Sequence, residues 1–70
     1  MNKILSEISG SVWKVLVQPG QLVAAGESLL VVESMKMEIP VEAPQAGTVR
    51  EVLVAEGEVV ADGQWLITLD

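Results

Sequence analysis

Lys36 stands in the stretch Val32-Glu33-Ser34-Met35-Lys36-Met37-Glu38-Ile39-Pro40, between two methionines and flanked further out by two glutamates. A lysine amine, once deprotonated, is a good nucleophile at the end of a long flexible stem. Little else in the chain can react. There is no cysteine and no histidine, which removes disulfides, thiolate nucleophiles, imidazole bases and the commonest zinc sites. Glu33 and Glu38 could form a charged cluster with Lys36, but no histidine or phosphate-binding loop supports acid–base catalysis there. A lone surface lysine is ordinarily a solvated charge. This one is set apart because the only other lysines are Lys3 and Lys14, because it interrupts an internal repeat, and because Met35 and Met37 flank it. Exposed methionines offer adaptable, polarizable contact surface, whereas buried ones fill cores. Strand alternation would put Met35 and Met37 on one face and Lys36 on the other.

The scaffold that positions Lys36 must be small. Seventy residues make one domain, 1–70, near the size at which folding buries only about 60% of the surface of the unfolded chain. Half the residues are hydrophobic, yet the only aromatics are Trp13 and Trp65, so the core must be Val, Leu, Ile and Ala. Such a core suits paired strands better than a ring-lined cavity. The net charge of −6 excludes nucleic acid and anionic membrane as partners, since four Lys and Arg residues cannot make a basic patch, and favours a protein partner. No signal-peptide run opens the chain and no apolar stretch reaches membrane-spanning length, so the expected compartment is cytoplasmic.

A shift of 37 residues superposes the second half of the chain on the first without a gap. Gly10 falls on Gly47, Val12 on Val49, Val15-Leu16-Val17 on Val52-Leu53-Val54, Gly20 on Gly57, Val23-Ala24 on Val60-Ala61, Gly26 on Gly63 and Leu29 on Leu66. The repeats 10–33 and 47–70 predict two similar β motifs about a pseudo-twofold axis, neither able to bury its apolar face alone. Gly20 and Gly57 are expected at turn positions of positive φ. The apolar spacing 12, 15, 17 and 49, 52, 54 breaks strict alternation and predicts a bulge near Trp13-Lys14 and Arg50-Glu51. The tryptophans are not equivalent, being matched by Arg50 and Ser28, and both are expected as packing residues. Between the repeats, a tight hairpin around Met35-Lys36 would join a strand Leu29–Glu33 to an antiparallel return strand Met37–Val41. Its tip has no Asn-Gly or Gly, so the turn type is not legible.

Glu33-Ser34-Met35-Lys36-Met37 closely resembles the biotin-attachment motif, usually Glu-Ala-Met-Lys-Met, of the biotinyl domains of biotin-dependent carboxylases. The resemblance covers nearly the whole chain, including the repeat, the Gly20 and Gly57 turns and Gly47-Thr48-Val49, and in length the chain is similar to stand-alone biotin/lipoyl attachment proteins. It implies an all-β fold, a flattened β-barrel or sandwich of two four-stranded antiparallel sheets with the target lysine on a hairpin tip. It implies that a biotin protein ligase joins biotin to the Lys36 amine through biotinyl-adenylate, reading Glu33, Ser34, Met35, Met37 and Glu38. The amide would take the net charge from −6 to −7.

The resemblance further implies a biotin carboxyl carrier (BCCP) that catalyses nothing alone. A biotin carboxylase would carboxylate the biotin with ATP, and a carboxyltransferase would pass the carboxyl group to an acceptor. Tethering would raise the effective concentration of the reactive group at both sites. A carrier that visits two sites is most simply a monomer. Ser34 replaces the commoner Ala, with room for a hydroxyl-to-backbone bond; the gapless repeats leave no insertion for a protruding thumb; and Ser9-Gly10 lacks the preceding Pro-Met. The near alternative is a lipoyl carrier bearing lipoate on the same fold, although lipoyl domains usually carry Asp-Lys-Ala at the tip. A structural adaptor without a modified lysine would have no use for Met-Lys-Met.

Overall fold

Short apolar runs cut by glycine turns give eight strands in the computed structural model, which describes residues 2–70; Met1, the first residue of the expected 1–70 domain, lies outside the described residues. In chain order they are β1 (Asn2–Leu5), β2 (Gly10–Val15), β3 (Leu22–Val23), β4 (Ser28–Ser34), β5 (Met37–Glu42), β6 (Gly47–Val52), β7 (Val59–Val60) and β8 (Trp65–Leu69). They form two four-stranded antiparallel sheets, ordered β1-β8-β6-β3 and β5-β4-β2-β7. The expected all-β architecture is present, as an open sandwich and not a closed barrel.

The 37-residue shift carries one sheet onto the other. It maps β1, β2, β3 and β4 onto β5, β6, β7 and β8, and the registers follow: Val12↔Val32 and Lys14↔Val31 in one sheet match Val49↔Leu69 and Glu51↔Thr68 in the other. Trp13 and Arg50 are the extra residues at the two register shifts, which puts the bulges where the apolar spacing placed them. The correspondence also reaches further back than Gly10. Ile4↔Ile67 repeats as Val41↔Leu30, so Asn2–Leu5 is the counterpart of β5. That strand has too few alternating residues to be read locally, and it exists because β8 offers it a ladder.

Each half completes the other. The short strand β7 pairs with β2 and β3 pairs with β6, so the two motifs exchange edges. The turns that permit this contain Gly20 and Gly57, at φ 91 and 89. Their N–H groups donate across the repeat boundary to Val49 O and Val12 O, each at 2.7 Å. A residue with a Cβ would pay for that left-handed conformation.

The core is built from Leu29, Leu30 and Val32 of β4 against Leu66, Ile67 and Leu69 of β8, with Val12 and Val49 between them. Consecutive Leu29 and Leu30 are both buried because the β4–β5 register shifts between Ser28 and Leu30. Each such side chain contributes about 1.5–3 kcal/mol of burial. The two buried polar residues are both satisfied. Ser6 Oγ donates to Ile8 O at 2.6 Å, and Thr68 Oγ1 accepts from Trp65 Nε1 at 3.0 Å.

The tryptophans divide. Trp65 packs as expected, held by Thr68 and with Lys3 Nζ 4.5 Å from its ring centroid. Trp13 does not: it is 46% exposed. As the extra residue of a bulge it has no cross-strand partner to cover it, and only Lys14 Nζ, 5.7 Å away, lies over its ring.

Candidate functional site

The β4–β5 hairpin presents Lys36. Its pairs run Val32↔Ile39, Glu33↔Glu38, Ser34↔Met37, which leaves Met35 and Lys36 as a two-residue loop. Both take positive φ, 53 and 64, the signature of a type I′ turn. Primed turns match the right-handed twist of the flanking strands, so strand pairing selects this geometry even without the usual Asn-Gly. The pairing is firm because β4 is central in its sheet, with β2 on its other side. Strand β5 is an edge, which accommodates Pro40 and its missing N–H opposite Val31.

The turn corrects one expectation. Met35 and Lys36 are loop residues, so strand alternation does not set their directions and the proposed sharing of a face by Met35 and Met37 has no basis there. What the turn does is expose all three side chains. Met35 is 92% exposed and Met37 64%, and Lys36 is exposed between them. Those methionines fill no core. Two unbranched apolar side chains held in water beside an amine form contact surface for another molecule.

Holding non-glycine residues at positive φ costs on the order of 1 kcal/mol each. Met35→Asn, which places the residue preferred at the first position of a type I′ turn, is therefore expected to stabilise the fold by about 0.5–1 kcal/mol. In thermal unfolding followed by circular dichroism this is a rise of about 4 °C for a chain of this size. An unchanged or lower midpoint would refute the strain.

Glu33 and Glu38 are exposed and directly opposite each other one pair below the loop-closing residues, an unfavourable like-charge pairing. Ser34 is half-buried, and no hydrogen bond from its hydroxyl to the backbone exists among the described residues. The ion pair found among the described residues, Arg50 with Asp70 at 3.3 Å, lies on the other sheet. Lys36 is thus a cation on an extended turn above two carboxylates, able to accept a covalent group on Nζ. Among the described residues no group of His, Cys, Asp or Glu is placed to hold a metal ion. A shallow groove of about 730 Å³ runs between edge strands β1 and β5, with Lys3, Glu7, Glu42 and Asp62 as its charged lining.

Sequence comparison finds a match between residues 3–69 and the family described as biotin-requiring enzyme, the biotin/lipoyl family. The biotin/lipoyl attachment protein of Bacillus subtilis is 42% identical over 43 residues, covering 61% of this chain and 59% of that protein. Among solved structures, the urea carboxylase of Kluyveromyces lactis superposes on 99% of the chain with a TM-score of 0.93 and 30% identity, over 6% of its own length. The lipoyl domain of the 2-oxoglutarate dehydrogenase complex of Azotobacter vinelandii gives a TM-score of 0.77 at 29% identity, covering 89% of this chain and 78% of that domain. The chain therefore spans little more than half of the first relative and a small part of the carboxylase.

Proposed function

The chain belongs to the biotin/lipoyl attachment family, and on that premise we propose that it is a biotin carboxyl carrier whose Lys36 bears biotin. One observation carries this reading: Lys36 sits on a two-residue turn with both neighbouring methionines in solvent. In the acylation step the Lys36 nitrogen attacks the carbonyl carbon of biotinyl-adenylate, a C–N bond forms, the bond to the adenylate phosphate oxygen breaks, and the amine gives up a proton as AMP leaves. The chain supplies the nucleophile and its presentation. A biotin protein ligase supplies the adenylate and the base, and would read Glu33, Ser34, Met35, Met37 and Glu38 around the target.

The biotinylated arm would then serve a biotin carboxylase and a carboxyltransferase in turn, with no catalytic group on the carrier. Likeness to a urea carboxylase supports a carboxylase partnership of this kind. A free monomer suits the role, since the hairpin must enter two active sites, and the ATP used in ligation and carboxylation fits a cytoplasmic setting. Likeness to a lipoyl domain favours lipoate as the second reading, with Lys36 as the same acceptor.

The test is intact mass after incubation with biotin protein ligase, biotin and ATP, in parallel with lipoate ligase, lipoate and ATP. A single biotinyl addition is the expected result. A lipoyl addition alone moves the chain to the second reading, and a folded chain modified by neither enzyme overturns both.

A further inference from the structure

Sulfur in this chain is gathered at one place. There is no cysteine, and of the three methionines the two among the described residues, Met35 and Met37, flank Lys36. Elsewhere the exposed large apolar side chains are leucines, a valine and Trp13, which is half-exposed. The exposure of the two thioethers is built into the backbone. Met35 stands on the two-residue turn closed by the Ser34↔Met37 pair, at φ 53, beyond the ends of β4 and β5. Met37 opens β5, an edge strand with no strand on its other side. Neither side chain belongs to the core cluster.

We infer that Met35 and Met37 form a reversible oxidation site, whose sulfoxides close Lys36 to acylation while leaving the fold intact. This rests on the reading of Lys36 as an acylated residue. The oxidant is hydrogen peroxide. A thioether lone pair attacks one peroxide oxygen, an S–O bond forms as the O–O bond breaks, and the proton on the transferred oxygen passes to the departing one, which leaves as water. Sulfur gives up two electrons and the peroxide accepts them. The attack needs a path to sulfur through solvent, which both side chains have. Reversal takes two electrons from a pair of thiols, which become a disulfide as the sulfoxide oxygen leaves as water. A methionine sulfoxide reductase brings those thiols, since this chain has none. The product is polar and chiral where the thioether was flexible and apolar. The fold does not register that change, because neither side chain packs into the core. A partner does. A surface that closed over an apolar thioether must now bury an S–O dipole, and a polar group buried without a hydrogen bond weakens the contact by about tenfold or more. Lys36 keeps its amine throughout, so recognition is lost and the nucleophile is not.

The experiment is steady-state acylation of wild type and of the double variant Met35→Leu with Met37→Leu, each before and after hydrogen peroxide, with the peroxide removed before ligase is added. Peptide mass mapping reads one added oxygen at Met35 and one at Met37, and the thermal midpoint reads the fold. In wild type, oxidation is expected to leave the midpoint within about 3 °C. It is expected to lower kcat/KM about tenfold for each sulfoxide, through KM, and methionine sulfoxide reductase is expected to restore it. Leucine keeps the apolar volume without an oxidisable sulfur, and Met1 and Trp13 are present in both chains, so peroxide is expected to change the variant's kcat/KM by no more than about twofold. Met35 and Met37 left unoxidised while free methionine in the same solution is oxidised would overturn the inference. So would undiminished kcat/KM in the doubly oxidised wild type, an equal loss in the leucine variant, unfolding on oxidation, or a loss that persists once reductase has returned both sulfurs to thioethers. The reductase arm decides the matter even where the leucine variant is not a ligase substrate. If no ligase modifies unoxidised wild type, it is the reading of Lys36 that fails, and the peptide map alone then decides the oxidation site.

Discussion

Lys36→Arg is expected to abolish ligase modification completely while leaving the fold and its thermal midpoint unchanged. The substitution keeps a long, positively charged side chain on an exposed turn, so no buried contact is lost and the net charge stays at −6. What it removes is the nucleophile. A guanidinium stays protonated in proteins and its electrons are delocalised, so no lone pair is available to attack an adenylate. Intact mass checks this directly: wild type gains one acyl group and the variant none. Lys3 and Lys14 should not substitute, because each lies over a tryptophan ring on or beside a sheet and neither stands on a two-residue turn between exposed methionines. An acyl addition to the variant would show that the ligase does not select by presentation, and would remove the main support for the carrier reading.

The repeat made much of this fold legible. Glycines and valines 37 positions apart announced the twofold, and the broken alternation at Val12 and Val15 announced the bulge, since both signals are local and periodic. Strand Asn2–Leu5 was not legible from its own residues, because its pairing partner, β8, lies at the far end of the chain. The turn type was hidden for a related reason. Positive φ at Met35 and Lys36 is imposed by strand twist and register, against the preference of both residues, so residue types alone point away from it. Trp13 was misplaced because an aromatic in a strand is usually covered, and only the register shows it as the unpaired residue of a bulge. The lysine and its methionines were legible as a motif. Their common exposure was not, since it depends on where the hairpin ends.

Gly10→Ala is expected to be the most damaging single-methyl change near the site, at about 3 kcal/mol. Gly10 is not among the glycines of positive φ, so its role is not conformational freedom. It is close approach: a Cβ there would collide with the Glu33 carbonyl oxygen and lie 2.9 Å from Val32 Cγ1. Both belong to β4, the central strand between β2 and β5, so relief requires moving β4 against two ladders at once. Overpacking of this kind costs typically 1–3 kcal/mol and occasionally more. At about 0.05–0.15 kcal/mol per residue, a domain of this size holds only about 3.5–10 kcal/mol in reserve. Urea denaturation would read the loss as a lower midpoint at unchanged slope. Gly47→Ala is the control, since its Cβ would lie 2.6 Å from the Asp70 carbonyl oxygen with its next neighbours at 3.8 Å or more. Asp70 is outside any strand and is held by its N–H to Thr48 O at 2.8 Å and its ion pair with Arg50, not by ladders on both sides as Glu33 is, and a smaller cost of about 1 kcal/mol is expected there. Equal costs at the two positions would mean that β4 is no more constrained than the tail of β8. The rigidity attributed to the base of the Lys36 hairpin would then be absent.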